Sequence, residues 1–241
     1  IGSNLASKFP HGVLVQNPYP NFNETLVFQN IHIEFTRNQL KHLYTSKSTG
    51  LDNLNAQLLK DAADVVAGPL THIMNASLQT GTVPSTWKKA RVTPIYKADS
   101  PLTPSNYRPI SILPVCMKIF ERVVQIQLAA YLKKHNILCQ EQSGFREMHS
   151  TATAATDLTD QILRNMDQGR LTGAVYLDLK KAFDTVDSDT LLFKLKCLGI
   201  QNTEFTWFQN YLKERTQCVQ FQNSISEHLS ITCGVPQGSI L

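Results

Sequence analysis

Two acidic residues stand in surroundings where a carboxylate has a chemical use. Asp178 lies near the end of the stretch 173–179, in which alternate residues are apolar, and Asp184 follows six residues later. Alternation of this kind predicts a β-strand. A carboxylate on a buried strand is costly unless it binds a cation or another partner, and Mg²⁺ prefers a few carboxylates together with substrate phosphates. The pattern therefore makes Asp178 a candidate magnesium ligand.

The same acids are compatible with a purely structural role. Asp178 then faces water, while Asp184, Asp187 and Asp189 lie at the start of a helix, where negative charge is favourable. We expect this role for Asp187 and Asp189. A calcium loop of the EF-hand type is not indicated, because no glycine or distant glutamate follows at the required positions.

Three further motifs could approach or hold a charged ligand. The segment 234–239 places two glycines around Pro-Gln, which gives a tight backbone path that a ligand can approach closely. Arg108 precedes Pro109, which keeps the chain extended, and Arg146 comes shortly before a predicted helix. Arginine in rigid surroundings binds phosphate well, although each motif alone is more often a turn or a surface cation.

Helices and strands must position these motifs. Apolar residues at helical spacing predict helices over about 52–67, 70–81, 115–134, 151–166 and 205–212, and one capped near Asp187 or Ser188. Gly68-Pro69 is expected to separate the first two helices, and Ser150 is expected to cap the fourth.

Extended segments are predicted between the helices. Residues 90–97 are expected to be extended, and Pro94 indicates an edge or irregular strand. Residues 217–221 and 228–233 are predicted to form a hairpin.

Composition limits the class of protein. The 241 residues are 42% hydrophobic and 17% charged, which indicates one or two compact domains. No apolar run reaches the length of a membrane-spanning helix, so no membrane partner is expected. The five cysteines are widely spaced and contain no C-x-x-C pair, which argues against a disulfide framework and a structural zinc site.

Charge is distributed unevenly along the chain. Ten basic and three acidic residues lie between positions 88 and 146, so this segment carries +7 while the whole chain carries +4. A basic segment suits contact with a phosphate backbone. Two solvated surfaces with a chance bias are equally compatible with the charge alone.

The order of the motifs is more specific than any one of them. Together they resemble successive sequence blocks of the reverse transcriptases of non-LTR retrotransposons, and the resemblance runs from about residue 48 to the end. The blocks that carry it are residues 83–97, 106–111, 142–151, 178–184 and 234–239.

The resemblance implies a fold and a function. It implies an α+β right-hand polymerase fragment, with a loosely ordered lead-in (1–47), a fingers part (48–172) and a partial palm (173–241) on a mostly antiparallel sheet. The implied function is RNA-directed DNA synthesis by two-metal nucleotidyl transfer, with Mg²⁺ as cofactor. The implied partners are template RNA, a DNA primer, deoxynucleoside triphosphates and the remainder of the polymerase polypeptide.

The resemblance also assigns roles to residues of the catalytic centre. Asp178 matches the first metal-binding aspartate of the family, and Phe183 matches the bulky residue that lies under the nucleotide sugar and excludes a 2′-hydroxyl. For Phe183 alone, plain core packing is the simpler interpretation. Nucleotide addition is an in-line phosphoryl transfer in which the protein positions and neutralises, and these residue types serve that chemistry.

Other matched residues are expected to contact the nucleotide or the template. Lys97 and Arg108 match residues that hold the triphosphate, and Arg146 matches a basic residue near the template and fingers. Gln237 and Gly238 match the loop that packs on the nascent base pair.

The chain departs from the family pattern in one respect. The family's next block contains two adjacent aspartates, and no Asp-Asp pair occurs in this sequence. We therefore expect the chain to be a piece of a longer reading frame that does not polymerise alone, and the strand over 173–179 to have an unpaired edge that lowers solubility. We expect the parent protein in the nucleus and cytoplasm.

Two other functions remain open from the sequence. One is a non-catalytic nucleic-acid-binding remnant that keeps the basic segment from Lys88 to Arg146. The other is a helical scaffold without a nucleic-acid role, which requires the ordered blocks to be coincidence.

Overall fold

The computed structural model describes residues 24–241, which divide into two compact units. The first unit comprises residues 24–129 and 181–241, and the second comprises residues 130–180. Part of the lead-in predicted over 1–47 lies outside the described residues, and its described part contains a helix. The predicted limits of fingers and palm stay predictions.

The part of the chain that the structure describes has a mixed α and β fold. Its seven α-helices are α1 (Ile33–Lys41), α2 (Ala56–Asp61), α3 (Ala63–Thr80), α4 (Val115–Lys134), α5 (Thr151–Asp167), α6 (Ser188–Cys197) and α7 (Asn202–Leu212). Its five strands are β1 (Lys89–Tyr96), β2 (Tyr107–Ile112), β3 (Thr216–Phe221), β4 (Ser224–Ile225) and β5 (Leu229–Ser230).

The strands form one sheet in the first unit, in the order β2-β1-β3-β4, with β5 also paired to β3. The pairings of β1 with β2 and of β3 with β4 and β5 are antiparallel, whereas β1 and β3 are parallel. The sheet is therefore mostly antiparallel. β2 lies at one edge of this sheet, where its outer side can receive another segment.

The position of Pro94 fits its missing N–H group. It lies directly opposite Pro109 of β2, so both residues that cannot donate occupy the same rung of the ladder. On its other side β1 pairs with β3 only from Lys89 to Val92. The predicted edge character is therefore confined to the second half of β1.

The break predicted at Gly68-Pro69 is wrong. Helix α3 runs through both residues and ends at Gly81, which has the left-handed φ of 68° that favours glycine. Pro69 removes one hydrogen bond of the helix, but the packing of α3 against α1 holds the helix together, with Leu70 and Met74 buried. Tertiary packing outweighs the local preference at this position.

An aromatic core joins α3, α4 and α7. Trp207 is fully buried, stacks on Tyr211 with ring centroids 5.3 Å apart, and meets Phe120 edge-on at 5.4 Å. Its indole N–H donates to the Ser77 hydroxyl at 3.1 Å, so the polar atom of the ring is also satisfied. This core supports α4 and α7 next to the segments that form the candidate site.

The strand predicted over 173–179 is not formed. No strand among the described residues pairs with it, and Val175, Leu177 and Leu179 are 86%, 89% and 76% exposed. A strand is stable only when its N–H and C=O groups pair with a neighbour and its apolar face is covered. Residues 24–241 supply neither to this segment.

Helix α5 of the second unit begins as predicted. The Ser150 side chain accepts from the Thr153 N–H, and the Thr153 side chain accepts from the Ser150 N–H, which forms a capping box. None of the α5 side chains is buried. No helix in the described part of the chain has the length and apolar character needed to cross a membrane.

Candidate functional site

A tight turn in the first unit places Phe183 and Asp184. Lys181 has a left-handed φ of 55°, and a short 3-10 helix (Ala182–Thr185) follows it. The Asp184 N–H donates to the Lys181 carbonyl at 2.9 Å and closes the turn. Asp187 then caps α6 by accepting from the Thr190 N–H at 2.7 Å, as the sequence predicts.

The segment 234–239 is attached to this turn by its backbone. The Gly234 N–H donates to the Val186 carbonyl at 2.7 Å, and the Val235 N–H donates to the Phe183 carbonyl at 2.9 Å. A Cβ on Gly234 would lie 2.9 Å from the Asp184 carbonyl oxygen, so only glycine allows this approach. The glycine predicted to permit a close contact thus contacts the protein's own turn.

A side-chain hydrogen bond orients Gln237. Its amide nitrogen donates to Asp184 Oδ1 at 2.6 Å. Because an ionised carboxylate only accepts hydrogen bonds, the amide nitrogen must face Asp184, which leaves the amide oxygen of Gln237 as an acceptor for another group. Asp184 therefore fixes which end of the Gln237 amide is available.

The other side of the segment rests on the outer edge of β2. The Ser111 N–H donates to the Gln237 carbonyl at 2.7 Å. Gly238 has a φ of 108°, and a Cβ there would lie 2.8 Å from the Ser111 carbonyl oxygen. Residues 234–239 are thus held between the turn 181–187 and the sheet edge.

Lys97 and Arg108 lie on one face of the β1–β2 hairpin. Arg108 is directly opposite Ile95, and the Lys97 N–H donates to the Asn106 carbonyl at 3.0 Å, which continues the pairing by one residue. Since side chains alternate along a strand, Ile95, Lys97 and Arg108 share a face. Both cations are exposed, so this face can receive a phosphate group.

Phe183 is not a core residue. Its side chain is 47% exposed, although the plain interpretation of an apolar residue in this position is core packing. A half-exposed aromatic ring beside a rigid loop offers a flat surface to a ligand.

Asp178 and Arg146 belong to the second unit. Asp178 is exposed within the extended segment 173–179. Arg146 closes its own loop, because its Nη1 donates to the carbonyls of Cys139 at 2.7 Å and Gln142 at 3.2 Å. The metal and template roles of these two residues stay predictions.

The described residues do not assemble a metal site. Among residues 24–241, no three His, Cys, Asp or Glu side chains come together in an arrangement that could hold a metal ion. One oxygen of Asp184 is engaged by Gln237, and Asp178 alone falls short of the several carboxylates that Mg²⁺ prefers. The donor set therefore does not fit a complete magnesium centre.

Two cations of the basic segment point into the protein. Lys88 is buried and pairs with Glu214 at 3.2 Å, and Arg91 Nη2 donates to the Thr49 carbonyl at 2.6 Å. They are therefore unavailable to a phosphate backbone. The +7 charge of residues 88–146 overstates the surface that a nucleic acid can contact.

Sequence reasoning missed the residues that hold the loop. Ser111 gives no signal, because it acts through its backbone N–H. Asp184 was interpretable only as a metal ligand or a helix-start acid. Glu121 did carry a signal, since it occurs among the buried residues of α4, three before Val124 and four after Met117.

Comparison with known proteins gives the family of the chain. Residues 95–241 match the family described as reverse transcriptase (RNA-dependent DNA polymerase). The chain is 34% identical over 218 residues to the probable RNA-directed DNA polymerase from transposon BS of Drosophila melanogaster, which covers 90% of the chain and 24% of that relative. It is 30% identical to the RNA-directed DNA polymerase from mobile element jockey of the same species, over 91% of the chain and 24% of the relative.

A relative of lower identity extends the comparison to another species. The Pol polyprotein from type-1 retrotransposable element R2 of Popillia japonica is 29% identical over 68% of the chain and 23% of its own length. The chain spans about a quarter of the length of these curated relatives. With the family model matching more than half of its residues, the chain belongs to the reverse transcriptase family, of the type carried by non-LTR retrotransposons.

Proposed function

We propose that the first unit binds the incoming nucleotide in an RNA-directed DNA polymerase, and that the whole protein extends a DNA primer along an RNA template. The observation that carries the proposal is the fixing of residues 234–239 between the turn 181–187 and the edge of β2. This arrangement presents a half-exposed Phe183 and an oriented Gln237 amide on one rigid support. Catalytic groups on such supports are held close to a productive geometry.

The cations of the hairpin complete the proposed nucleotide site. Phosphoryl transfer requires positioning and neutralisation of charge more than covalent chemistry. Lys97 and Arg108 share an exposed face of the β1–β2 hairpin, and we assign them to the triphosphate. Phe183 fills the volume that a 2′-hydroxyl would need, which selects deoxyribose.

The remaining assignments follow from family membership. Mg²⁺ is the proposed cofactor of the complete polymerase, with Asp178 as one ligand, and the metal would neutralise charge on the transferred phosphate. Because residues 24–241 contain no group of three possible ligands, we assign a metal role to Asp178 alone. The proposed partners are template RNA, DNA primer, nucleotides and the rest of the polypeptide, in the nucleus and cytoplasm, with 48–172 as fingers and 173–241 as palm.

The sugar-selection role of Phe183 gives the direct test. Phe183→Val in the protein made from the complete reading frame should lower the preference for deoxynucleotides over ribonucleotides by at least about tenfold, because the space under the sugar opens. The measurement is kcat/KM for each nucleotide in primer extension. Phe193→Val is the matched control, since Phe193 is 40% exposed in the same unit and lies on α6.

Two results would contradict the proposal. Unchanged sugar selection in Phe183→Val would remove Phe183 from the nucleotide site. Salt-dependent binding of an RNA–DNA hybrid without metal-dependent extension would favour the non-catalytic remnant, although the inward positions of Lys88 and Arg91 reduce the basic surface available to it.

A further inference from the structure

A buried carboxylate contacts the backbone just after the loop of residues 234–239. Glu121 of α4 is fully buried. Its Oε1 accepts from the Tyr211 hydroxyl at 2.8 Å, and its Oε2 accepts from the Ile240 backbone N–H at 2.8 Å. One side chain thus joins α4, α7 and residue 240, three residues after Gln237.

A buried cation accompanies this carboxylate. Arg215 is 2% exposed, its guanidinium lies 4.9 Å from the centre of the Tyr211 ring, and its Nη1 donates to the Tyr211 carbonyl at 3.0 Å. Within the described residues, its Nε and Nη2 have no hydrogen-bond acceptor. A buried guanidinium without an opposing charge is costly, and Arg215 acts electrostatically on Glu121 in the direction that favours its carboxylate form.

The pKa of Glu121 reflects these opposing effects. Burial raises it above the ordinary value, while the Ile240 N–H, the Tyr211 hydroxyl, Arg215 and Lys118 each act to lower it. Burial likewise raises the pKa of Tyr211, so this hydroxyl remains a donor to the carboxylate at neutral pH. The two donors and the two cations thus oppose the effect of burial on Glu121.

A charged group in this place is unnecessary for packing alone. Apolar residues of similar volume often stabilise a core as well as a buried ion pair does. An apolar residue, however, cannot accept a hydrogen bond from the Ile240 N–H. The polar cluster therefore has a specific consequence for the backbone that leaves residues 234–239.

We propose that Glu121 is a positioning residue for the loop of residues 234–239. It accepts a hydrogen bond from the Ile240 N–H, while Asp184 and Ser111 form hydrogen bonds with Gln237. The inference rests on the proposed nucleotide site, because the loop it positions is the one assigned to the nascent base pair. Glu121 touches no substrate in this arrangement. It acts on the nucleotide only through the loop.

Two substitutions separate this role from simple packing. Glu121→Leu keeps an apolar body of similar size but removes the acceptor for both donors. Tyr211→Phe removes a hydroxyl that bonds to Glu121 and Ser239, but it keeps the acceptor of the Ile240 N–H. Hydrogen exchange of the 241-residue chain should therefore show amides of 234–241 exchanging at least about tenfold faster in Glu121→Leu, because the acceptor of the Ile240 N–H is lost. Tyr211→Phe should change that peptide less than Glu121→Leu does, because the acceptor of the Ile240 N–H remains. Residues 89–96 of β1 are the internal reference in both variants.

Ile240→Pro tests the same contact without altering the core. Proline removes the N–H that donates to Glu121. Since position 240 lies outside all helices and strands, this variant remains informative if Glu121→Leu does not fold. It should loosen the loop to a similar degree. Glu121→Gln should restore protection, because its amide oxygen accepts from Ile240 and its amide nitrogen donates to the Tyr211 oxygen.

Activity provides a second readout. In the protein from the complete reading frame, Glu121→Leu should raise KM for the nucleotide at least about tenfold, with a smaller change in kcat, since the loop is loosened but not removed. Unchanged loop exchange in both Glu121→Leu and Ile240→Pro would overturn the inference. Absence of primer extension in the unaltered protein would instead overturn the proposed function, while the exchange result would still decide the role of Glu121.

Discussion

The two compact units use their apolar residues in opposite ways. The first unit, residues 24–129 and 181–241, buries Trp207, Phe120 and Met117 completely. In the second unit, residues 130–180, Leu163 of α5 is 51% exposed and the segment 173–179 has no pairing partner. Apolar periodicity is present in both, but only the first unit provides surfaces that cover it. Without burial, periodicity still predicted helix α5, whose backbone hydrogen bonds are internal, but it failed for the strand over 173–179, which needs a neighbouring strand.

The largest expected difference is in hydrogen exchange. Amides of residues 115–129 in α4 should exchange at least about a thousandfold more slowly than amides of residues 173–179, because opening α4 requires disruption of the core. The measurement is peptide-resolved exchange at neutral pH on the 241-residue chain. Comparable protection of the two segments would show that 173–179 is paired in solution and would remove the contrast.

The next largest difference is expected in the stability loss caused by truncating an apolar side chain in each unit. Phe120→Ala should lower the free energy of unfolding by about 3–5 kcal/mol, since it leaves a cavity beside Trp207 and Trp87. Leu163→Ala in α5 should change it by less than about 0.5 kcal/mol, because the side chain is half exposed. Urea unfolding followed by far-UV circular dichroism, which reports the helices of both units, measures both variants. A large loss in Leu163→Ala would mean that α5 is covered in solution.

Glycine substitutions compare the loop with the exposed segment. Gly238→Ala should cost about 1–3 kcal/mol, because its φ of 108° and the Ser111 carbonyl both oppose a Cβ. Gly173→Ala should be close to neutral, since nothing lies within 4 Å of a Cβ there. The same urea titration checks both variants. Equal effects would indicate that residues 234–239 are not held against β2.

The smallest expected effect is a pH dependence from Glu121. Burial raises its pKa above the ordinary 4.5, so the native state binds a proton that the unfolded state releases, and this group lowers stability as pH rises from about 4.5 through the raised pKa. Glu121→Gln removes that titration, while Tyr211, Arg215 and Lys118 remain. The stability of Glu121→Gln relative to the unaltered chain should therefore rise across this window. A constant difference would place the pKa of Glu121 at its ordinary value.

Local sequence signals predicted many elements correctly. The predicted range of α4 coincides with the observed Val115–Lys134, and the caps at Ser150 and Asp187 are confirmed. These features depend on hydrogen bonds and periodicity within a few residues. The break at Gly68-Pro69 was wrong, because packing against α1 lies outside such a window.

For the candidate site too, the sequence indicated residues, whereas their contacts were seen only in the structure. Residue types and their order along the chain were enough to identify the family and to single out Phe183, Gln237, Lys97 and Arg108. The hydrogen bonds that hold Gln237 are not encoded locally, since Asp184 and Ser111 lie 53 and 126 residues away in sequence.

The sequence by itself determined the family of the chain, because residue types in a fixed order can be compared without a structure. Only the tertiary structure decided what each of these groups contacts. In the folded chain, Lys88 pairs with Glu214 and Arg91 donates to the Thr49 carbonyl. Asp184 accepts a hydrogen bond from Gln237, and Glu121 accepts one from the Ile240 N–H. The physical reason is that a hydrogen bond or a buried charge depends on distances between atoms, and chain folding sets those distances for residues that are remote in sequence.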